Sequence, residues 1–132
     1  MTRVFADTSA FLALLSSSDS EHPRARRSFE RLRKEAATLV STSYVLVETC
    51  ALLDRRMGRE AVRRFREDMA PLLDVVWVGH ELHENAMDLL LASSRSISLV
   101  DAASFVCMQR LGLDRAWAID RHFDEQGFDI LD

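Results

Sequence analysis

The sequence predicts an α/β fold in three layers, with helices covering both faces of a parallel sheet, and three observations predict it. Short β-prone apolar runs alternate with segments of helical period along the whole chain. Carboxylates stand where apolar runs stop, at Asp7 and Asp120, and the ends of strands are where open α/β sheets place their sites. A length of 132 residues suits one domain, residues 1–132, which can bury roughly two thirds of the surface its unfolded form exposes.

Val4-Phe5-Ala6 reads as a short buried strand, and Asp7-Thr8-Ser9 interrupts the apolar run before a helix from Ser9 to Leu15. Any of those three polar residues can cap the helix, which is the plain structural reading of Asp7. Ser16-Ser17-Ser18-Asp19 is a polar turn. His22-Pro23 then starts a helix running to about Ala37, with Ala25, Phe29 and Leu32 on one face and arginines around the rest. Thr38 to Ser41 is β-prone. Thr42 or Ser43 caps a helix from Tyr44 to about Arg56, whose end Gly58 marks. Arg59 to Leu73 reads as one helix, because Val62, Phe65, Met69 and Leu72 or Leu73 recur at its spacing. Asp74 to Val78 is a strand, helices follow at about Glu81–Ser93 and Leu99–Leu111, Arg115 to Ile119 is a strand, and Phe128 to Leu131 is a short edge strand. There is no internal repeat, low-complexity tract or linker.

Composition excludes some function classes. At 48% hydrophobic and 29% charged residues the chain is an ordinary globule, its apolar runs fall far short of the roughly 18 residues a membrane span needs, and its start does not resemble a signal peptide. The expectation is a cytoplasmic protein without membrane partners. Cys50 and Cys107 lie in helix-like apolar segments without CxxC spacing, which fits free buried thiols rather than a disulfide or zinc site. Charge is unevenly spread: residues 22–66 hold twelve of the seventeen basic residues against five acids, a balance of +7, so a net −4 leaves −11 for the remainder. Such asymmetry fits a basic face for a polyanion beside an acidic pole that holds cations, and equally a solvated arginine-rich helix.

Four acids stand beside apolar residues, where a charge is costly. Glu48 has Tyr44, Val45, Ala51 and Leu52 one helical turn away, and its plain reading is a glutamate at the edge of the apolar stripe. Asp101 follows Ser98-Leu99-Val100, a Ser-x-x-Asp spacing that also reads as a capping box. Asp120 ends Ala116-Trp117-Ala118-Ile119 as Asp7 ends the first strand, and its plain reading is a turn aspartate. Jointly, two acids at strand ends and two on helices facing those ends can share one pocket, which mutual repulsion forbids unless a cation is present. Oxygen donors without a His or Cys cluster favour a hard ion, Mg²⁺ or Mn²⁺, and carboxylate-held Mg²⁺ serves phosphate chemistry above all. His80-Glu81-Leu82-His83 lacks the HExxH spacing and reads as a surface helix start, and Asp124 and Asp129 read as surface acids.

The segments Phe5-Ala6-Asp7-Thr8-Ser9-Ala10, Tyr44-Val45-Leu46-Val47-Glu48-Thr49, Leu99-Val100-Asp101-Ala102-Ala103-Ser104-Phe105 and Ala118-Ile119-Asp120-Arg121-His122-Phe123 with Gly127-Phe128 resemble, in order and spacing over essentially the whole chain, the PIN-domain ribonucleases. Within that family the resemblance is to the small VapC-type toxins of bacterial toxin–antitoxin pairs. It implies a three-layer α/β/α sandwich around a mostly parallel five-stranded sheet and a Mg²⁺- or Mn²⁺-dependent endoribonuclease leaving a 5′-phosphate and a 3′-hydroxyl. It further implies metal-holding, catalytic acids at Asp7, Glu48, Asp101 and Asp120, a homodimer, and a cognate antitoxin that occupies the site. Thr8, beside Asp7, matches the family's usual hydroxyl and would supply a hydrogen bond that supports the metal-holding groups. Ala118 departs from the family, which commonly carries Thr or Ser there, so it supplies no hydroxyl to orient Asp120 or a water. Arginines of the 24–34 and 55–66 segments, Arg24, Arg27, Arg31, Arg55 and Arg59 among them, would position the RNA backbone.

Two other readings compete with this one. A metal- or RNA-binding module without catalysis would use the same acids, and Ala118 favours it. A phosphotransfer domain would also place an aspartate at a strand end, but phosphatases of that type need Asp-x-Asp, and Ser9 stands at the third position.

Overall fold

In the computed structural model, which describes residues 2–131, five parallel strands form one sheet in the order β3-β2-β1-β4-β5. The strands are β1 (Arg3–Ala6), β2 (Thr38–Thr42), β3 (Leu73–Val76), β4 (Arg115–Trp117) and β5 (Asp129–Ile130). The helices are α1 (Thr8–Leu15), α2 (His22–Lys34), α3 (Ser43–Met57), α4 (Arg59–Arg64), α5 (His80–Ala92), α6 (Leu99–Leu111) and the short α7 (His122–Glu125). From β1 the chain steps outward to β2 and β3, then returns to the other side of β1 for β4 and β5. Right-handed crossovers put α1–α4 on one face and α5–α7 on the other, giving the three layers that the alternation of elements predicts.

A parallel sheet covered on both faces demands apolar strands. Val4, Phe5, Ala6, Val40, Ala116 and Trp117 are accordingly buried. On one face Trp117 packs against Phe11 of α1 and Phe29 of α2, and its indole N–H donates to Ser28 Oγ at 2.9 Å. On the other, Phe123 packs against Phe5 and Phe105. Edge-to-face pairs such as Phe11–Trp117, with centroids 5.4 Å apart, fix the seating of α1 beyond what area burial alone does.

Several boundaries differ from expectation, each for a local reason. α2 stops at Lys34, and Ala36 adopts a left-handed φ of 54° that turns the chain into β2. The single helix expected over Arg59–Leu73 is instead α4, a π-helical stretch at Phe65–Met69 and a 3₁₀ turn at Ala70–Leu72. Pro71 has no N–H to donate into a continuing helix, the helical path closes with the 3₁₀ turn, and β3 begins one residue early, at the extended Leu73. β3 also ends early, at Val76, because Val78 N–H donates to Ser43 Oγ at 2.8 Å rather than to a strand. β4 ends at Trp117 instead of Ile119, and the next two hydrogen-bonding amides turn to a side chain of α1, described below. β5 is shorter than the expected Phe128–Leu131, and α7 is an element that helical periodicity did not show. Cys50 and Cys107 are free thiols, Cys107 buried and Cys50 only half-buried, and burial raises the pKa of both. Among the described residues no helix is long and apolar enough to cross a membrane.

Candidate active site

The direction of the strand order reverses between β1 and β4, and there the helices that follow adjacent strands diverge to leave a crevice. A hollow of about 190 Å³ opens at that point, lined by Asp7, Thr8, Ser9, Leu12, Glu48, Leu52, Asp101 and Asp120. All four acids singled out in the sequence, and Thr8, thus face one space.

Asp7 directly follows β1 and caps α1, its Oδ2 accepting from Ser9 N at 3.1 Å and Ser9 Oγ at 2.7 Å. The structural and functional readings of this residue therefore coexist. Only 3% of Asp7 is exposed. Burial pushes its carboxyl up to about 6, the two Ser9 hydrogen bonds hold it lower than it would otherwise lie, and the nearby Asp101 and Asp120 charges raise it further. Glu48 reaches the hollow from α3. Its carboxyl is likewise raised, first by burial and then by Asp101 and Asp120, with the Thr8 hydroxyl acting in the opposite direction. Thr8 is itself held in place, accepting from Thr49 Oγ1 at 3.1 Å and donating weakly to Val45 O at 3.4 Å.

Asp101 occupies the first turn of α6 and forms the capping box its spacing announced. Its N–H donates to Ser98 Oγ at 3.0 Å while its Oδ2 accepts from Ser98 N at 3.1 Å. Asp120 lies in the bend three residues past β4 rather than at the strand's last position, and its Oδ1 accepts from His122 N at 3.0 Å. The His122 ring lies between two of the acids, Nδ1 being 2.9 Å from Asp101 Oδ2 and 3.2 Å from Asp120 Oδ1. No lysine or arginine forms an ion pair with any of the four acids among the described residues.

Ser9 and His122 are the two participants that residue-by-residue reasoning missed. Ser9 stood in full view beside Asp7 but read only as a capping candidate. His122 lies two residues past Asp120, and a helix beginning there would have shown that its ring turns back over the acids. The remaining motifs behave as surface features. Asp124 pairs with Arg121 at 2.7 Å, Asp129 is exposed, and His80 and His83 start α5, where His83 hydrogen-bonds the Tyr44 hydroxyl.

None of Arg24, Arg27, Arg31, Arg55 and Arg59 lines the acid hollow. Arg24 pairs with Glu21 at 3.5 Å and Arg59 with Asp54 at 2.9 Å, whereas Arg27, Arg31 and Arg55 are exposed on α2 and α3. A larger hollow, of about 520 Å³, runs along α4 and the π-helical stretch and is lined by Arg59, Val62, Arg63, Arg66 and Glu67.

Among the described residues no three His, Cys, Asp or Glu side chains form a ready-made metal cage. The donor set nevertheless fits a magnesium-like ion. It consists of carboxylate oxygens, which hard cations prefer, and Mg²⁺ keeps several waters and needs only one or two carboxylates rather than an all-protein cage. Burial first, and then the neighbouring acids, raise the Asp7 and Glu48 carboxyls, and a divalent cation beside them would favour their charged forms.

Comparison with known proteins gives an independent result. The family model described as PIN domain matches residues 4–129. The chain is 34% identical over 127 residues, 95% of each chain, to the 23S rRNA-specific endonuclease VapC20 of Mycobacterium tuberculosis. It also superposes with a TM-score of 0.83 at 33% identity, over 95% of each chain, on the crystal structure of that organism's VapC20, described as a sarcin–ricin loop cleaving toxin. The FitAcB structure from Neisseria gonorrhoeae matches with a TM-score of 0.70 at 12% identity, over 98% of this chain and 96% of that one, which is a likeness of fold.

Proposed function

The chain belongs to the PIN-domain family as a VapC-type ribonuclease, and on that premise we propose that Asp7, Glu48, Asp101 and Asp120 hold Mg²⁺ or Mn²⁺ for endonucleolytic cleavage of RNA by this toxin. The observation that carries the reading is the convergence of four acids, distant in sequence, on one hollow at the sheet's switch point, with no lysine or arginine paired to them among the described residues. When bound, a hard divalent ion neutralises phosphoryl oxygens, lowers the pKa of water and stabilises the departing oxygen.

The chain's own residues supply placement. Ser9 holds the Asp7 carboxylate in one orientation, and the capping box ties Asp101 to the first turn of α6, so neither acid has to be ordered when substrate arrives. Leu12 and Leu52 wall the hollow with apolar surface, which strengthens electrostatic interactions inside it. The α1 and α6 amino termini, capped by Asp7 and Ser98, bring positive helix ends toward the acids and toward any phosphate beside them. Arg27, Arg31 and Arg55 act outside the hollow, as backbone contacts that set affinity more than cleavage.

The sarcin–ricin loop for which the Mycobacterium tuberculosis relative is named is the first substrate to test. We assign as partners an RNA substrate and a cognate antitoxin that inhibits by covering the acids, with a homodimer as the working assembly. The deciding experiment incubates purified protein with a sarcin–ricin loop RNA and a mixed RNA pool in Mn²⁺, with and without chelator. Cleavage that requires metal and disappears in Asp7→Asn is expected. Chelator-resistant cleavage, or equal cleavage by Asp7→Asn, refutes the reading.

A further inference from the structure

We propose that Ser9 is the positioning residue that fixes the fourth acid, Asp120, relative to the first, Asp7. A serine hydroxyl has one proton to donate and two lone pairs to accept with. Here all three are used: Ser9 Oγ donates to Asp7 Oδ2 at 2.7 Å and accepts from Ile119 N at 2.9 Å and from Asp120 N at 3.2 Å. One side chain therefore joins a carboxylate at the end of β1 to the backbone that carries the carboxylate beyond β4.

The need for such a link follows from where the sheet stops. Asp7 N–H donates to Trp117 O at 3.1 Å, the last backbone bond between the two segments, and neither ladder continues past it. Ile119 and Asp120 would otherwise present unpaired amides at the edge of a half-buried hollow, which is costly. Nothing within the segment itself takes them, since Ala118 is buried and has no polar side-chain atom. Ser9 is on the first turn of α1, and α1 is seated by Phe11 against Trp117, so the hydroxyl stands on a rigid support. His122 acts at the other end of the same residue, where its N–H and ring meet Asp120 Oδ1, leaving Ser9 to set the backbone and His122 the carboxylate.

The inference rests on the metal reading of the site, and its test separates the two. Mn²⁺ affinity is measured by calorimetry, and amide exchange at Ile119 and Asp120 by NMR, in wild type, Ser9→Ala and Ser9→Thr. Ser9→Gly is the second removal variant should the alanine form not fold. The removal variant is expected to bind Mn²⁺ roughly tenfold more weakly, the loss typical of residues that orient metal ligands, and to exchange both amides faster. Ser9→Thr, which keeps the hydroxyl, is expected to behave as wild type in both. Wild-type protein that takes up no Mn²⁺ refutes the proposed function and this inference together. Wild type that binds Mn²⁺ beside a removal variant that binds it equally well, or that protects both amides equally well, refutes the role of Ser9 alone, as does a folded Ser9→Thr that fails as the alanine form does.

Discussion

The acid hollow and the arginine-rich surface of α2, α3 and α4 carry opposite charges under opposite physical conditions. In the hollow, Asp7 is buried and its carboxyl raised to about 6, and the histidine ring at His122 is the one chargeable basic partner the four acids have among the described residues. On the arginine surface most side chains are exposed, and several are already paired, as in Arg26–Glu30 at 3.1 Å, Arg59–Asp54 at 2.9 Å and Arg63–Glu60 at 3.6 Å. Exposed pairs contribute about 0.2–1 kcal/mol each, whereas a buried uncompensated carboxylate costs several times that. The contrast teaches that Asp7 and Glu48 are placed where burial disfavours their charge, and that the arginines are placed where they are energetically almost free.

The sharpest break in that comparison is activity. Asp7→Asn and Asp101→Asn each keep size and most hydrogen-bonding capacity but remove a charge from the hollow, and each is expected to lower the cleavage rate by about 10²-fold or more, the scale for removing one electrostatic group from a preorganised site. Single-turnover cleavage in saturating Mn²⁺ measures it. A variant within threefold of wild type would show that the residue's charge takes no part in cleavage.

The same substitution at Asp7 should have the opposite effect on stability. With a folded-state pKa near 6 against 3.8 when unfolded, Asp7 is protonated in both states below about pH 4 and contributes nothing there. Between about pH 4 and 6 the folded state still holds a proton that the unfolded state has lost, so stability falls as pH rises, and above pH 6 the full penalty is present. Asp7→Asn is therefore expected to be more stable than wild type in chelator at pH 8, by on the order of 2–3 kcal/mol, with the advantage vanishing near pH 4. Urea denaturation at the two pH values checks it. Added Mn²⁺ should raise the stability of wild type more than that of the variant, because only an ion that binds the folded state selectively stabilises it.

How far the sequence reveals this site depends on which interactions are local. The capping box at Ser98 and Asp101, the end of α3 at Gly58 and the bounds of α6 are set by residues within a turn of one another, and all were legible. Asp7, Glu48, Asp101 and Asp120 were legible as costly charges beside apolar residues, but their meeting is a product of strand order, which the resemblance implied and the residues alone left open. Ser9 and His122 escaped because their roles are contacts over long sequence distances, Ser9 to Ile119 and His122 to Asp101. The broken helix after Arg64 escaped for another reason: Val62, Phe65 and Met69 keep helical spacing through it, so periodicity could not show where Pro71 ends it.

The smallest expected effect tests the other half of the comparison. Arg27 and Arg31 are exposed on α2, away from the acids, so Arg27→Ala and Arg31→Ala should leave thermal stability within about 0.5 kcal/mol of wild type. If these side chains meet RNA phosphates, each substitution removes one released counterion, and the slope of log binding constant against log salt should become shallower by about 0.7, the value for a single-stranded contact. Binding is best measured with Asp7→Asn in Ca²⁺, so that the RNA stays intact. An unchanged slope in both variants would mean that the basic surface serves solubility, and that the RNA backbone is held nearer the hollow, where the positive ends of α1 and α6 already point.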